Sequence, residues 1–138
     1  VVFCGFGEPT LRLEAIKEVA LKIKEAGGKT RLNTNGHGNV INKRNILPEL
    51  KGLIDSVSVS LNADSSEAYD EICVPLPSFR NGIYDKVKEF IAESKNYIPE
   101  VQASIVTHQN NVDEGRCEEM TKDELGVDWR ARRFNMVG

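Results

Sequence analysis

The sequence predicts an α/β fold built from parallel βα repeats, and three observations support this prediction. Short apolar runs rich in β-branched residues alternate with longer amphipathic runs along the whole chain. No Gly/Ser-rich linker divides the chain, so residues 1–138 are expected to form a single domain. Its 138 residues are too few for a closed eight-fold barrel, which needs about 250. We therefore expect an open sheet, or an arc of a barrel, with about five strands joined by right-handed crossovers.

The strand predictions rest on apolar or alternating runs. In the third strand, valine alternates with serine from Ser56 to Ser60, which predicts one apolar face and one small polar face. Helices cover both faces of an ordinary doubly wound sheet, so its strands read as nearly continuous apolar runs. The serine face therefore suggests a lined cavity. Strands are predicted at residues 1–4, 29–33, 54–61, 101–107 and 127–134.

The helix predictions rest on apolar residues at helical spacing. Thr10 is the predicted N-cap of the first helix, and Gly27 and Gly28 mark its end. A loop is predicted at residues 35–38, and further helices at residues 47–52, 65–72, 82–97 and 112–125. The apolar stripe of the first helix consists of Ile16, Val19, Ala20 and Ile23, and that of the helix at 82–97 of Ile83, Val87, Phe90 and Ile91.

Composition and charge narrow the function classes. The chain has 21 acidic and 18 basic residues, a net charge of −3, and no basic block before its last dozen residues, so nucleic acid is not expected as the main partner. No apolar run approaches the roughly 20 residues needed to cross a bilayer. The N-terminus also lacks the layout of a secretion signal. Neither membrane association nor export is therefore expected.

The cysteines and histidines do not form a recognisable metal motif. Three cysteines lie too far apart for a CxxC-type site and are odd in number for a disulfide-stapled fold, so a reducing cytoplasm is the expected location. Cys4 and Cys117 are expected to be small buried hydrophobic residues. His37 and His108 are single loop histidines, and a metal site needs converging ligands. No metal ligand is therefore assigned.

The candidate ligand-binding residues lie where the predicted strands end, because ligands of parallel α/β folds bind at that carboxyl edge. Side-chain amides follow every strand except the first, which is followed by the carboxylate of Glu8. Such a set suits hydrogen bonding to a polar small molecule better than acid–base catalysis, so no catalytic residue is assigned. The five strand ends are residues 5–8, 33–36, 60–62, 107–110 and 134–135.

The first turn, GFGEPT, is a poor match to a dinucleotide-binding loop. Gly5 and Gly7 fit the GxGxxG pattern, but Thr10 stands in place of its third glycine. The two glycines allow a ligand to approach the main-chain carbonyls closely, and Pro9 removes a competing donor. The turn therefore suits an ammonium group.

The run from GFGEPT through RLNTNGHGN and SVSLNA to the closing RARRFNMVG resembles the radical S-adenosylmethionine (SAM) enzymes. More narrowly, it resembles the TatD-associated radical SAM proteins, over essentially the whole chain. The resemblance implies a partial (β/α)6 barrel with SAM bound across the strand ends. It also implies a [4Fe-4S] cluster in the full-length protein, where an electron cleaves SAM to give a 5′-deoxyadenosyl radical.

The resemblance gives the first turn a role in cofactor binding. The backbone of Gly5, Phe6 and Gly7 would bind the methionyl amino group of SAM, and Glu8 would brace that turn. The family usually has paired glycines here, and Gly5-Phe6-Gly7 departs from that pattern. The Phe6 side chain can point away from the ligand, so the variation is expected to be tolerated.

The resemblance also implies cofactor-binding residues on the later strands. Asn33 would support the amino acid moiety of SAM, and Asn35 belongs to the same NTNG motif. Ser60 and Asn62 stand where the family usually contacts the ribose or the carboxylate. Thr107 would end its strand beside the adenine.

One departure from the family concerns the iron–sulfur cluster. The CxxxCxxC motif that binds three of the cluster irons is absent, and Cys4, Cys73 and Cys117 do not have its spacing. We therefore expect a truncated radical SAM core that begins at its second strand. Alone it should neither cleave SAM nor bind it tightly. The full-length protein would act on an unknown substrate and take electrons from a flavodoxin or ferredoxin.

Truncation and the alternative fold each give a further expectation. Loss of the first βα unit should leave residues 1–4 as an unpaired apolar edge, so self-association is expected. The alternative to the enzyme fragment is a non-catalytic α/β module that binds a nucleotide or a partner. That module would have helices on both sides of the sheet and no shared concavity.

Overall fold

The computed structural model describes residues 1–4, 8–63, 65–67, 69, 82–106 and 114–132. Within these residues lies a sheet of five strands in the order β1-β2-β3-β4-β5, with every neighbouring pair parallel. The predicted α/β fold of parallel βα repeats is therefore confirmed. The strands are β1 (Val2–Phe3), β2 (Arg31–Thr34), β3 (Ser56–Ser60), β4 (Glu100–Val106) and β5 (Asp128–Arg132).

Helices lie in the connections between these strands. Among the described helices, none combines the length and the apolar character needed to cross a membrane. The helical elements in chain order are a 3₁₀ turn (Pro9–Arg12), α1 (Leu13–Glu25), α2 (Gly38–Asn42), α3 (Leu47–Leu50), α4 (Ile83–Ser94), α5 (Glu114–Glu119) and a π-helix (Met120–Leu125).

The strand order and the core place the described helices on one face of the sheet. Right-handed crossovers between successive neighbours put every connection on the same side, whereas a doubly wound sheet reverses its strand order at a switch point. Strands and helices share one hydrophobic cluster on that side. It contains Leu32, Val57, Val59, Val101 and Ala103 from the strands, with Ile16, Leu50, Phe90 and Leu125 among the helical residues.

The apolar stripe predicted for α4 is confirmed, because Ile83, Val87, Phe90 and Ile91 are all buried. The stripe of α1 is correct in part. Ile16 and Ala20 are buried, but Val19 is 45% exposed. Leu13, the first residue of the helix, is buried instead. The face of α1 that packs against the core therefore includes Leu13 and excludes Val19.

The predicted start of α1 is wrong, whereas its predicted end is confirmed. Thr10 is not an N-cap, because it lies inside the 3₁₀ turn. Glu8 caps that turn, and its side chain accepts from the Thr10 backbone N–H. The predicted C-terminal signal is confirmed by Gly27, which follows the C-cap Ala26 and has a φ of 81°, in the left-handed region that glycine tolerates.

Several other boundaries differ from the predictions. β3 covers Ser56–Ser60, less than the predicted 54–61, and α2 begins at Gly38 inside the predicted loop. The helix predicted at 112–125 is split into α5 and the π-helix. Half of the helix predicted at 65–72 lies outside the described residues.

Candidate functional site

The strand register defines a polar face on the side of the sheet opposite the core. Asn33, Ser58 and Gln102 are neighbours across β2, β3 and β4. Two residues closer to the carboxyl edge, Ser60 of β3 and Ser104 of β4 are also neighbours. Because successive residues of a strand point to opposite faces, these side chains lie on the side away from the helices. The polar face predicted for the third strand therefore extends over three strands.

Hydrogen bonds between side chains order this polar face. Arg31 Nε donates to Asn33 Oδ1 at 3.2 Å, and Gln102 Nε2 donates to Ser58 Oγ at 3.3 Å. Ser58 is only 8% exposed and Ser104 only 2%. Ser58 and Ser104 are thus nearly buried, whereas Asn33 and Ser60 are half-buried.

The carboxylate of Glu8 is 9% exposed and joins the turn after β1 to the end of β2. Its Oε1 accepts from the Asn35 backbone N–H at 2.9 Å. Its Oε2 accepts from the Thr10 backbone N–H at 3.3 Å and from the hydroxyls of Thr10 and Thr34. These bonds satisfy the acceptors of a buried carboxylate.

Glu8 and Asn33 lie on opposite faces of the sheet. Thr34, which donates to Glu8, is in register with Val59 on the core face, whereas Asn33 is in register with Ser58 on the polar face. Glu8 therefore contacts the helix-covered side at the end of β2. Its carboxylate does not contribute to the polar face directly.

Asn35 is used within the turn that follows β2. Its Oδ1 accepts from the His37 backbone N–H at 2.9 Å, and Thr34 Oγ1 accepts from the Gly36 backbone N–H at 3.1 Å. Gly36 has a φ of 82°, and a Cβ at this position would lie 3.0 Å from the Val59 and Val87 side chains. The Asn35 side chain thus shapes a tight turn packed against β3 and α4.

Asn62 has an unusual backbone conformation and a side-chain oxygen with no partner among the described residues. Its φ is 60°, in the left-handed region that few residues other than glycine adopt, although Asn is enriched there. Its backbone N–H donates to Ser104 O at 3.3 Å, which holds it beside β4. Its Oδ1 is buried and has no hydrogen-bond partner in the part of the chain that the structure describes. Buried polar atoms are normally paired, so this oxygen is a candidate ligand contact.

A buried aromatic cluster around His37 was not predicted from the sequence. His37 Nε2 and the Tyr69 hydroxyl are 2.6 Å apart, and the ring centroids of Tyr69 and Tyr84 are 5.6 Å apart. The Tyr84 hydroxyl donates to Ala63 O at 3.0 Å. The cluster fixes the segment after β3 against the β2–α2 turn and α4, and so holds Asn62 in place. The three residues are distant in sequence, which explains why no local pattern indicated them.

Burial changes the titration of His37. Desolvation lowers the pKa of the His37 imidazole below 6.5, and the nearby negative charge of Glu8 opposes this shift. The imidazole is therefore held neutral at pH 7 as a hydrogen-bonding core residue.

The described side chains do not fit an iron–sulfur cluster. No group of three or more His, Cys, Asp or Glu residues that could hold a metal ion occurs within the described ranges. Cys4 is exposed, so its expected burial was wrong, because it lies at the end of the edge strand β1. Cys117 is buried as expected. Cys73 lies outside the described residues.

The structure thus brings some of the predicted site residues together and separates others. Asn33 lies beside Ser58, while Ser60 and Asn62 both adjoin Ser104. Glu8 and Asn35 contact each other on the opposite side of β2. Gly5, Phe6, Gly7 and Thr107 lie outside the described residues. Comparison with protein-family models, with curated proteins and with solved structures finds no match to this chain.

Proposed function

We propose that this chain is the SAM-binding arc of a radical SAM enzyme. The observation that carries the proposal is the sequential order of five parallel strands, with the helical core on one face and polar side chains on the other. An arc of a (β/α) barrel has this arrangement, because its helices pack on the outer face of the sheet and the other face of the sheet lines the inside of the barrel. Two of the motifs that resemble the family, RLNTNGHGN and SVSLNA, span the carboxyl ends of β2 and β3.

Three residues on or beside the polar face are the proposed contacts for SAM. The Asn33 amide supports the amino acid moiety, and Ser60 and Asn62 hydrogen bond the ribose or the carboxylate. The Oδ1 atom of Asn62 is buried and has no hydrogen-bond partner among the described residues, which supports this assignment because a ribose hydroxyl could donate to it. Glu8 is the positioning residue for the turn after β1, and the Asn35 backbone N–H helps to hold the Glu8 carboxylate.

The proposal limits what this chain does alone. In the full-length protein, the cluster would supply the electron for SAM cleavage and a flavodoxin or ferredoxin would deliver it, in a reducing cytoplasm. The described residues do not fit the cluster, so no step of that reaction is assigned to them. What these residues do is orient a polar ligand by hydrogen bonding and shelter it from water.

The alternative non-catalytic module is less well supported. It was expected to have helices on both faces of the sheet, whereas the described helices contribute to one core on one face. Its serines would be covered by helices or exposed, whereas Ser58 is sheltered on the face away from the core.

Titration of the ¹⁵N-labelled chain with SAM tests the proposal. Weak but saturable shifts are expected for the amides of Asn33, Ser60 and Asn62. Asn62→Gly keeps the left-handed backbone but removes the amide, so it should weaken binding roughly three- to tenfold. Asn96→Gly, at an exposed position, is the matched control and should bind as the parent does. Absence of saturation, or an equal loss in both variants, would contradict the proposal.

A further inference from the structure

The hydrogen bonds of the polar face determine which groups it offers to a ligand. Arg31 Nε can only donate, so the Asn33 amide must present Oδ1 to it and direct Nδ2 away. Among the described residues, Asn33 Nδ2 has no hydrogen-bond partner. Asn33 is half-buried, so these two N–H donors lie on a partly sheltered surface.

The neighbouring serine also offers a donor. Ser58 Oγ accepts a hydrogen bond from Gln102 Nε2, which leaves the Ser58 O–H free to donate. No atom of the described residues accepts a hydrogen bond from this O–H. Ser58 is beside Asn33 in the strand register. Side chains directly opposite each other on neighbouring strands are about 5 Å apart. The Asn33–Ser58 pair therefore presents N–H and O–H donors at the spacing of one small ligand group.

Among the described residues, the charge nearest this pair is positive. The Arg31 guanidinium lies alongside Asn33, and arginine stays protonated in proteins. The acidic residues that share this face by register are farther away. The backbone of Glu100 lies two strands from that of Arg31, and the backbone of Asp128 two strands from that of Ser58, about 10 Å in each case. Glu8 contacts the opposite face through Thr34.

We propose that Arg31, Asn33 and Ser58 form a binding site for a carboxylate. One carboxylate oxygen would accept from Asn33 Nδ2 and the other from the Ser58 hydroxyl, while Arg31 supplies the opposite charge. A carboxylate only accepts hydrogen bonds, so it matches a surface that offers donors. A carboxamide would place its own N–H groups against donors and would bind poorly. The site follows from these contacts and does not depend on the SAM proposal.

The probe is acetate, with acetamide as its neutral counterpart, titrated at constant ionic strength into the ¹⁵N-labelled chain. Acetate should shift the side-chain NH₂ resonances of Asn33 saturably, and acetamide should not. Arg31→Gln should weaken acetate binding about tenfold, as expected for loss of a charge-assisted contact. Arg12→Gln removes the same charge at an exposed position and should leave binding unchanged.

Asn33→Asp is the sharpest variant, because it replaces the donor with a negatively charged acceptor of the same shape. Acetate should then no longer shift the Ser58 backbone amide. Shifts that stay linear, that acetamide reproduces, or that Arg12→Gln weakens equally would overturn the site. Acetate binding without SAM binding would count against the proposed function alone, and SAM binding without acetate binding against this site alone.

Discussion

At the scale of single residues, Glu8 shows what sequence reasoning can and cannot provide. Its position after the first strand indicated a role at the carboxyl edge. The sequence did not indicate that Thr10 and Thr34 would direct their hydroxyls to it, because these contacts depend on how the turn folds over the end of β2. A carboxylate with only accepting atoms is suited to such a set of donors.

Glu8→Gln should destabilise the fold, since the amide places two N–H donors among the donors that surround this side chain. A loss of about 1–3 kcal/mol in the free energy of unfolding is expected, measured by urea denaturation. Glu25→Gln makes the same change at an exposed position and should cost far less. Equal losses in the two variants would show that the buried network contributes nothing.

His37 should make the stability of the chain depend on pH. Because burial lowers the pKa of the folded-state imidazole below 6.5, the unfolded chain binds a proton at a higher pH than the folded chain does. The free energy of unfolding should therefore fall as the pH drops below about 6.5. The loss should level off once the pH is below the folded-state pKa.

His37→Gln should remove this part of the pH dependence, which denaturation at a series of pH values between 5 and 8 would measure. His108→Gln is the matched control, because the chain has only 2 histidines. If the slope survives in His37→Gln and disappears in His108→Gln, the assignment to His37 is wrong.

At the scale of elements, the β2–α2 turn depends both on its backbone conformation and on side-chain packing. Gly36 combines a φ of 82° with close approach to the side chains of β3 and α4. Gly52 has nearly the same φ, 80°, but a Cβ there would meet nothing within 4 Å. Substitutions at these two glycines therefore distinguish the cost of backbone strain from the cost of crowding.

Gly52→Ala should cost about 1–2 kcal/mol of unfolding free energy, the cost of a left-handed backbone with a Cβ. Gly36→Ala should cost about 1–3 kcal/mol more, because it also crowds Val59 and Val87. Thermal and urea denaturation would measure both. Equal costs would mean that the turn relaxes without disturbing the core.

Predictability also differed between elements. The α4 stripe was correctly predicted, since an amphipathic helix of three turns carries a strong periodic signal. α2 has only 5 residues. The π-helix follows α5 directly and has a different number of residues per turn from an α-helix. Neither produces the repeating apolar spacing on which sequence reasoning depends.

At the scale of the whole molecule, exposed apolar residues concentrate at one end of the chain. Within the described residues, the large exposed hydrophobic side chains are Val1, Val2, Leu11, Val19 and Leu21. Val1 and Val2 are 66% and 50% exposed and lie at β1, which is an edge of the sheet. Exposed apolar edges tend to pair with another chain.

We therefore predict concentration-dependent self-association in sedimentation equilibrium. Val2→Lys should weaken it, because a charge on an edge strand opposes pairing. Asn96→Lys adds the same charge at an exposed position away from β1 and should not. A chain that stays monomeric at all concentrations would contradict the prediction.

The architecture could be predicted further than the site. Alternation of serine and valine in β3 correctly placed a polar face, because strand periodicity follows directly from sequence. That Asn33 and Ser58 are neighbours, and that Glu8 lies on the other side of β2, depends on register and turn geometry. Local sequence patterns do not encode these long-range relations.

The central claim is that the polar face of this sheet binds SAM, and isotope-filtered NOE spectra of the labelled chain with unlabelled SAM test it most directly. The account predicts contacts from the ribose and methionyl protons of SAM to Asn33, Ser60 and Asn62. Contacts instead to the groove between α2 and α4, lined by Val40 and Phe90, would place the ligand on the helical side and contradict the account.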